Sequence, residues 1–228
     1  MRKTNVSLPD FKLRRKDGLA SIVRLLGTGL INYHRIIVEG AEHLPAQGAG
    51  LLLPKHHAYR DIFVEGISLY RHTGRYATFV MKRGLWGLLE NFGGLRVTRP
   101  KDVRKVKDRE KRRAAIQHAR ETNRDMQGYL SWLYEHGELV ISHPEGMRYQ
   151  GHMGPVQKEV VEHLLNTQEE RGLRVPIIPI GIEYESYTKP LSRVYFRVGQ
   201  PVYAESRSEL NDVVDHLTAD VCRLSGLV

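Results

Sequence analysis

Leu51-Leu52-Leu53-Pro54-Lys55-His56-His57-Ala58-Tyr59-Arg60-Asp61 is the stretch on which the reading of this chain turns. From Gly50 to Pro54 the run is apolar throughout rather than alternating, the pattern of a central strand covered on both faces. Polar residues follow at once, and apolar positions resume at Ile62, Phe63 and Ile67, the spacing of a helix over residues 61–71. A histidine and an aspartate therefore meet where a strand ends. With four residues between them, a turn entering a helix folds the Asp61 carboxylate back onto the His56 imidazole, fixing its tautomer and raising its basicity. That pairing is a general base with its orienting partner.

Outward from this point strands and helices alternate. Arg35–Glu39 reads as a strand before it, followed by a loop over residues 40–48. After it come a strand from Tyr76 to Met81 and a short apolar helix from Leu85 to Leu89, which lines a lipid-chain tunnel or joins the core. The glycines 93 and 94 lead into a short strand ending at Arg99, which Pro100 biases towards an extended backbone. A long basic helix over residues 102–136 turns Ala115, Ile116, Ala119, Met126, Leu130 and Leu133 to the sheet. Glu138–Ser142 is a further strand, and it ends in His143-Pro144-Glu145-Gly146-Met147-Arg148, a second charged cluster at a strand end.

Val156, Val160, Val161, Leu164 and Leu165 mark a helix started by Pro155, with a stop at Arg171-Gly172. Val175–Ile182 is a buried strand carrying Pro176 and Pro179, Arg193–Val198 another strand, and Leu210, Val213, Val214, Leu217, Val221 and Leu224 the stripe of a terminal helix. The order predicts a single α/β domain over residues 35–228. Its sheet is mixed and mainly parallel, flanked by helices, with the chemistry at strand ends.

Composition narrows the partners. The chain has 228 residues and a single cysteine, Cys222, which excludes an intramolecular disulfide or a multi-cysteine zinc site and suits a cytoplasmic protein. No apolar core follows the N-terminal cations as in a signal peptide, and no segment has the ~18 consecutive apolar residues of a membrane span. The net charge of +9 is uneven: residues 1–24 carry seven Lys/Arg against two Asp, and residues 99–124 eleven against four acids. Such segments suit a partner bearing phosphates, or are solvated faces. Residues 1–34 form a basic amphipathic segment in which Leu19, Ile22, Val23, Leu26 and Leu30 share one face. That face lies on an anionic membrane surface or packs on its own domain, and Gly27 and Gly29 weaken the helix.

Four blocks in order carry a resemblance. KHHAYRD (55–61) resembles the Asn-His-x4-Asp motif of the PlsC-type glycerolipid acyltransferases, the lysophosphatidic acid and glycerol-phosphate acyltransferases. GGLRVTR (93–99) resembles that family's Gly-rich block ending in Arg, HPEGMR (143–148) its Phe-Pro-Glu-Gly-Thr-Arg block, and VPIIPI (175–180) its fourth block. The resemblance implies a glycerol-phosphate acyltransferase-like fold and an O-acyltransferase in which His56 is the base and Asp61 its partner. It implies that Arg99, Glu145, Gly146 and Arg148 hold the acceptor and that Pro179 shapes the pocket. It further implies an acyl-CoA or acyl-carrier-protein thioester as co-substrate, a phosphate-bearing glycerolipid acceptor, no cofactor and no metal, and a peripheral site on the inner membrane face. The oxyanion would take N–H groups from the helix start after Asp61 or from the turn at Gly146. Lys55, Ala58, His143, Met147 and Tyr149 depart from the pattern, for Asn, Ser, Phe, Thr and Ser respectively.

Other chemistries lack their residues. No Gly-x-Ser-x-Gly elbow is present for an acyl-enzyme hydrolase, and no His-Glu-x-x-His for a metal hydrolase, although Glu159 and His163 stand at helical spacing. A basic, non-catalytic module binding anionic membrane or nucleic acid accounts for the charge but not for two charged strand ends, so no nucleic acid is expected.

Overall fold

The computed structural model describes residues 11–31, 33–82, 94–97 and 107–227. The short helix at Leu85–Leu89, Arg99 and the first part of the basic run lie outside the described residues. Along the chain the elements are α1 (Asp17–Ile31), β1 (Arg35–Glu39), β2 (Gly50–Pro54), α2 (Asp61–Thr73), β3 (Ala77–Lys82) and β4 (Gly94–Val97). They continue with α3 (Arg109–Glu135), β5 (Leu139–Ser142), α4 (Glu159–Arg171), β6 (Ile177–Tyr184), β7 (Arg193–Val198) and α5 (Leu210–Leu224).

Among the described residues the strands form one seven-stranded sheet in the order β1-β7-β6-β2-β5-β3-β4. β2, β3, β4, β5 and β6 run one way, and only β6 and β7 meet antiparallel, so β1 and β7 run the other. The sheet is mixed and mainly parallel, as its sequence suggests. β2 lies at its centre because it is apolar on both sides. Leu51 and Leu53 join the layer made with α3, α4 and α5, where Tyr129, Leu133, Leu164 and Leu217 are buried. Leu52 joins the opposite layer, with Val64 and Ile67 of α2.

A proline and a glycine fit for reasons the strand pattern alone does not give. Pro179 stands inside β6, where its missing N–H should break a ladder. The β6–β7 register ends at Ile180↔Val198 and resumes as a bridge at Ile177↔Val202, so one extra residue of the second chain segment bulges opposite Pro179. The ladder is already interrupted there. Gly181, two residues on, lies directly under the Leu224 carbonyl, and any side chain would collide with the end of α5.

Several expected boundaries move. α4 begins at Glu159, not at Pro155: the Gln157 N–H is donated to the Pro144 carbonyl at 2.7 Å and the Gly154 N–H to the Glu145 carboxylate at 2.7 Å. Residues 154–158 are thus tied to the turn after β5 before the helix starts. In α3, Leu130 and Leu133 are buried as expected, but Ile116 is 38% exposed and residues 109–114 are exposed. The basic half of that helix stands clear of the described core.

α1 packs on α2, and Gly27 is the contact rather than a weak point: a Cβ there would lie 2.8 Å from the Phe63 ring. On its outer side Ile22 is 53% and Leu25 63% exposed.

Candidate active site

The sheet order gathers the functional residues. β6, β2 and β5 are adjacent and parallel, so their C-terminal ends, carrying Tyr184, the His56 loop and His143, lie side by side. α2 starts in the same place and brings Asp61, with Glu65 one turn on.

Asp61 is fully buried and its carboxylate is saturated. Oδ2 accepts from the His57 N–H at 2.6 Å and the Ala58 N–H at 2.7 Å, and it lies 3.0 Å from His56 Nδ1. Oδ1 accepts from the Tyr184 hydroxyl at 2.7 Å. Burial alone would push this carboxyl up, but the hydrogen bonds from His56, Ala58 and Tyr184 outweigh it and hold it below its usual value. An anionic Asp61 requires the proton on His56 Nδ1, which leaves Nε2 to accept one; among the described residues Nε2 has no hydrogen-bond partner. The His56 side chain keeps 12% exposure. Burial lowers the affinity of its ring for a proton, the Asp61 hydrogen bond raises it and His143 lowers it again, and the balance falls below the usual histidine value. At pH 7 the ring is neutral and oriented, as a general base must be.

Beside it lies a fully enclosed ion pair. Lys55 Nζ donates to Glu145 at 2.8 and 3.0 Å and to the Tyr149 carbonyl at 2.7 Å. Glu145 also accepts from the His56 and Gly154 backbone N–H groups at 3.3 and 2.7 Å, and neither side chain of the pair has any exposed surface. Glu145, expected to hold the acceptor, thus has both its oxygens engaged by Lys55 and by the amides of His56 and Gly154. The Gly146 N–H, an expected oxyanion donor, is given to the His143 carbonyl at 3.0 Å.

Arg148 is exposed, and its guanidinium lies 3.7 Å over the ring of Tyr59, beside the His56 turn. No carboxylate among the described residues pairs with it. Pro179 is buried in β6 beside Leu53. The apolar crevice on that side, lined by Leu53, Pro144, Val156 and Leu217, encloses only about 10 Å³, roughly one water and far less than an acyl chain. His57 is buried, with Nε2 2.7 Å from the Ile182 carbonyl, which places it in the sheet rather than at the mouth.

Sequence reasoning missed Tyr184, Glu65 and the engagement of His143. His143 Nε2 lies 2.9 Å from Glu65 Oε1, and the His143 ring stacks on His56 with centroids 3.9 Å apart. A signal was present: Glu65 is a lone carboxylate among Ile62, Phe63, Val64 and Ile67, four residues after Asp61.

A family model of acyltransferases matches residues 35–183. The structure is similar to the crystal structure of the 1-acyl-sn-glycerophosphate (LPA) acyltransferase PlsC from Thermotoga maritima, with a TM-score of 0.52 and 16% identity over 88% of this chain and 78% of that one. No curated protein matches the chain. No helix among the described residues is long and apolar enough to cross a membrane. A family match that starts with the first residue of β1 and runs to the penultimate residue of β6 takes in well over half the sequence, and by it this protein belongs to the acyltransferase family.

Proposed function

We propose that this protein moves a fatty acyl group from an acyl-CoA or acyl-carrier-protein thioester to a hydroxyl of a lysophospholipid or glycerol phosphate. The observation that carries the reading is the neutral His56 ring, held through Nδ1 by a saturated Asp61 with Nε2 unspent. The acceptor hydroxyl gives its proton to Nε2 as its oxygen attacks the thioester carbonyl. The tetrahedral intermediate then collapses, the C–S bond breaks, and the thiolate recovers the proton from the imidazolium. No cofactor enters this balance. The oxyanion is taken by those N–H groups at the start of α2 that are not given to the Ala58 and Arg60 carbonyls, the Gly146 amide being engaged by His143. Arg148, exposed beside the His56 turn, takes the acceptor phosphate, and Arg99 joins it. Glu145 and Gly146 shape the loop that presents Arg148.

The acceptor is reached from the inner membrane face, on which residues 1–34 lie. Ile22 and Leu25 are exposed on α1, and Lys16 and Arg14 are exposed just before it.

The test is mass spectrometry of products after pairing lysophospholipids and glycerol phosphate with each class of donor. Acylated product from the natural chain and none from a folded His56→Ala variant is the expected result. No product from any pairing sinks the reading. For the membrane, cosedimentation with anionic vesicles should weaken but persist as salt rises, and fall further in an Ile22→Ser, Leu25→Ser variant.

A further inference from the structure

Glu65 and His143 are not used by the transfer just described, and their placement is costly. Glu65 is 1% exposed; Oε1 meets His143 and Oε2 has no partner among the described residues. A buried carboxylate with one of its oxygens unsatisfied is destabilising, and an apolar pair of similar size would suit this interface better. The same interface is where the His143 ring lies 3.9 Å from the His56 ring, with their planes 24° apart.

We propose that Glu65 and His143 are positioning residues for acyl transfer: a second carboxylate–histidine pair, stacked on the first, that fixes the plane of the His56 ring and by its charge sets the pH above which that ring acts as a base. The pair works through His56 and touches no substrate.

The stacking restrains the one motion that Asp61 leaves open, since a single hydrogen bond at Nδ1 lets the ring tilt about that contact. The charge argument needs every neighbour. His143 is faced by Glu65 and Asp61 from α2, by His56 from the loop after β2, and by Glu145 from its own turn. Lys55 neutralises Glu145 at 2.8 Å, and Asp61 is spent on His56, Tyr184 and two amides. Glu65 is thus the carboxylate bonded to His143. Burial lowers the affinity of that ring for a proton, and Glu65 raises it past the usual value, so His143 holds its proton where His56 has lost its own. On His56 the repulsion of the stacked His143 cation outweighs the attraction of Glu65. The two rings titrate as a coupled pair.

The test is histidine-ring NMR titration of the full-length chain, His56 being assigned by its loss in His56→Ala, alongside pH profiles of kcat/KM. His143→Phe keeps a flat ring in the stack and removes the charge; it should raise the His56 pKa by about one unit. Turnover would then fall about tenfold on the acid limb and stay near the natural value above pH 8. Glu65→Gln should raise the His56 pKa by less, because His143 then loses its proton at lower pH, and a double variant should move it no further than His143→Phe. A purely structural role would lower activity equally at all pH values and leave the titration unchanged. An unmoved His56 pKa in both folded single variants overturns the proposal. The proposal rests on the acyl-transfer reading only for its kinetic arm. If the natural chain acylates nothing but the titration shifts as described, the stacked pair stands and the substrate assignment falls.

Discussion

Two buried ion pairs flank the His56 backbone, and they are built to opposite rules. In Lys55–Glu145 the two side chains have no exposed surface, Lys55 has three oxygen acceptors besides the His56 carbonyl, and Glu145 takes two backbone N–H groups as well as its lysine. In His143–Glu65 one carboxylate oxygen goes unbonded among the described residues, and the histidine keeps 12% exposure against the His56 ring. The saturated pair joins the two loops, and the unsaturated one lies against the His56 ring. Saturation, rather than charge or burial, is what distinguishes these two pairs, since all four groups are largely buried and ionisable.

The comparison predicts different failures. The largest is His56→Ala, which should lower transfer by about 10²–10⁴-fold with the thermal midpoint nearly unchanged, because a general base contributes about that factor. Asp61→Asn should come close to it, since the amide cannot satisfy all four donors now aimed at the carboxylate. If Asp61→Asn retained full turnover, orientation of the ring would not matter. Lys55→Met should fail in the other way. It strands Glu145 and should cost about 3–5 kcal/mol in urea unfolding, with much of that recovered in a Lys55→Met, Glu145→Gln double variant. A folded, inactive Lys55→Met protein with unchanged stability would instead place this lysine in the reaction.

Arg148→Ala should raise the apparent constant for the acceptor and leave that for the donor, by the equivalent of about 1.5–3 kcal/mol, with Lys a partial substitute. Steady-state kinetics varying each substrate in turn decides it. His57→Ala should be milder in turnover and felt mostly as lost stability, since Nε2 is tied to the Ile182 carbonyl.

The smallest effect is a cancellation. His143 has a raised pKa, so its contribution to stability is full below the unfolded value of about 6.5 and is lost as pH rises through the folded value. His56 has a lowered one, so its contribution is present above about 6.5 and is lost as pH falls. As pH crosses about 6.5 the two rings should therefore pull stability in opposite directions, and the net slope should be smaller than that of either ring alone. His143→Phe should then lose stability on acidification, and His56→Ala on alkalisation. Parallel slopes in the two variants would mean that the rings do not differ as their surroundings imply.

Much of this was legible. Unbroken apolar runs mark buried parallel strands, so β2 and β6 can be read directly, and the stripe of α5 gives its ends to the residue. His56 and Asp61 are legible because they are close in sequence and a single turn joins them. The companion residues are not, because they depend on strand order. Tyr184 reaches Asp61 only because β6 lies beside β2, and His143 reaches His56 only because β5 lies on the other side. Nothing in the alternation of strands and helices specifies that order. The burial of Glu145 is hidden for a related reason: an acid next to a glycine turn looks available until Lys55, ninety residues earlier, is seen to bond it. The start of α4 was misread because a proline pattern is local, whereas the tie from Gln157 to the Pro144 carbonyl is not.

The cross-links around Lys55 bear on how this site opens. The Tyr149 N–H is donated to the His56 carbonyl, Gly154 to Glu145 and Gln157 to Pro144, so residues 143–157 are tied to the end of the central strand and to themselves at several points. Ligand-binding loops are usually drawn from the least protected part of a protein, opening many times for each global unfolding. Here the amides of Tyr149, Gly154 and Gln157 should exchange with deuterium almost as slowly as those of Leu52 and Ile141. The loop then behaves as an extension of the sheet, and substrate must approach a preset surface rather than wait for one to close over it.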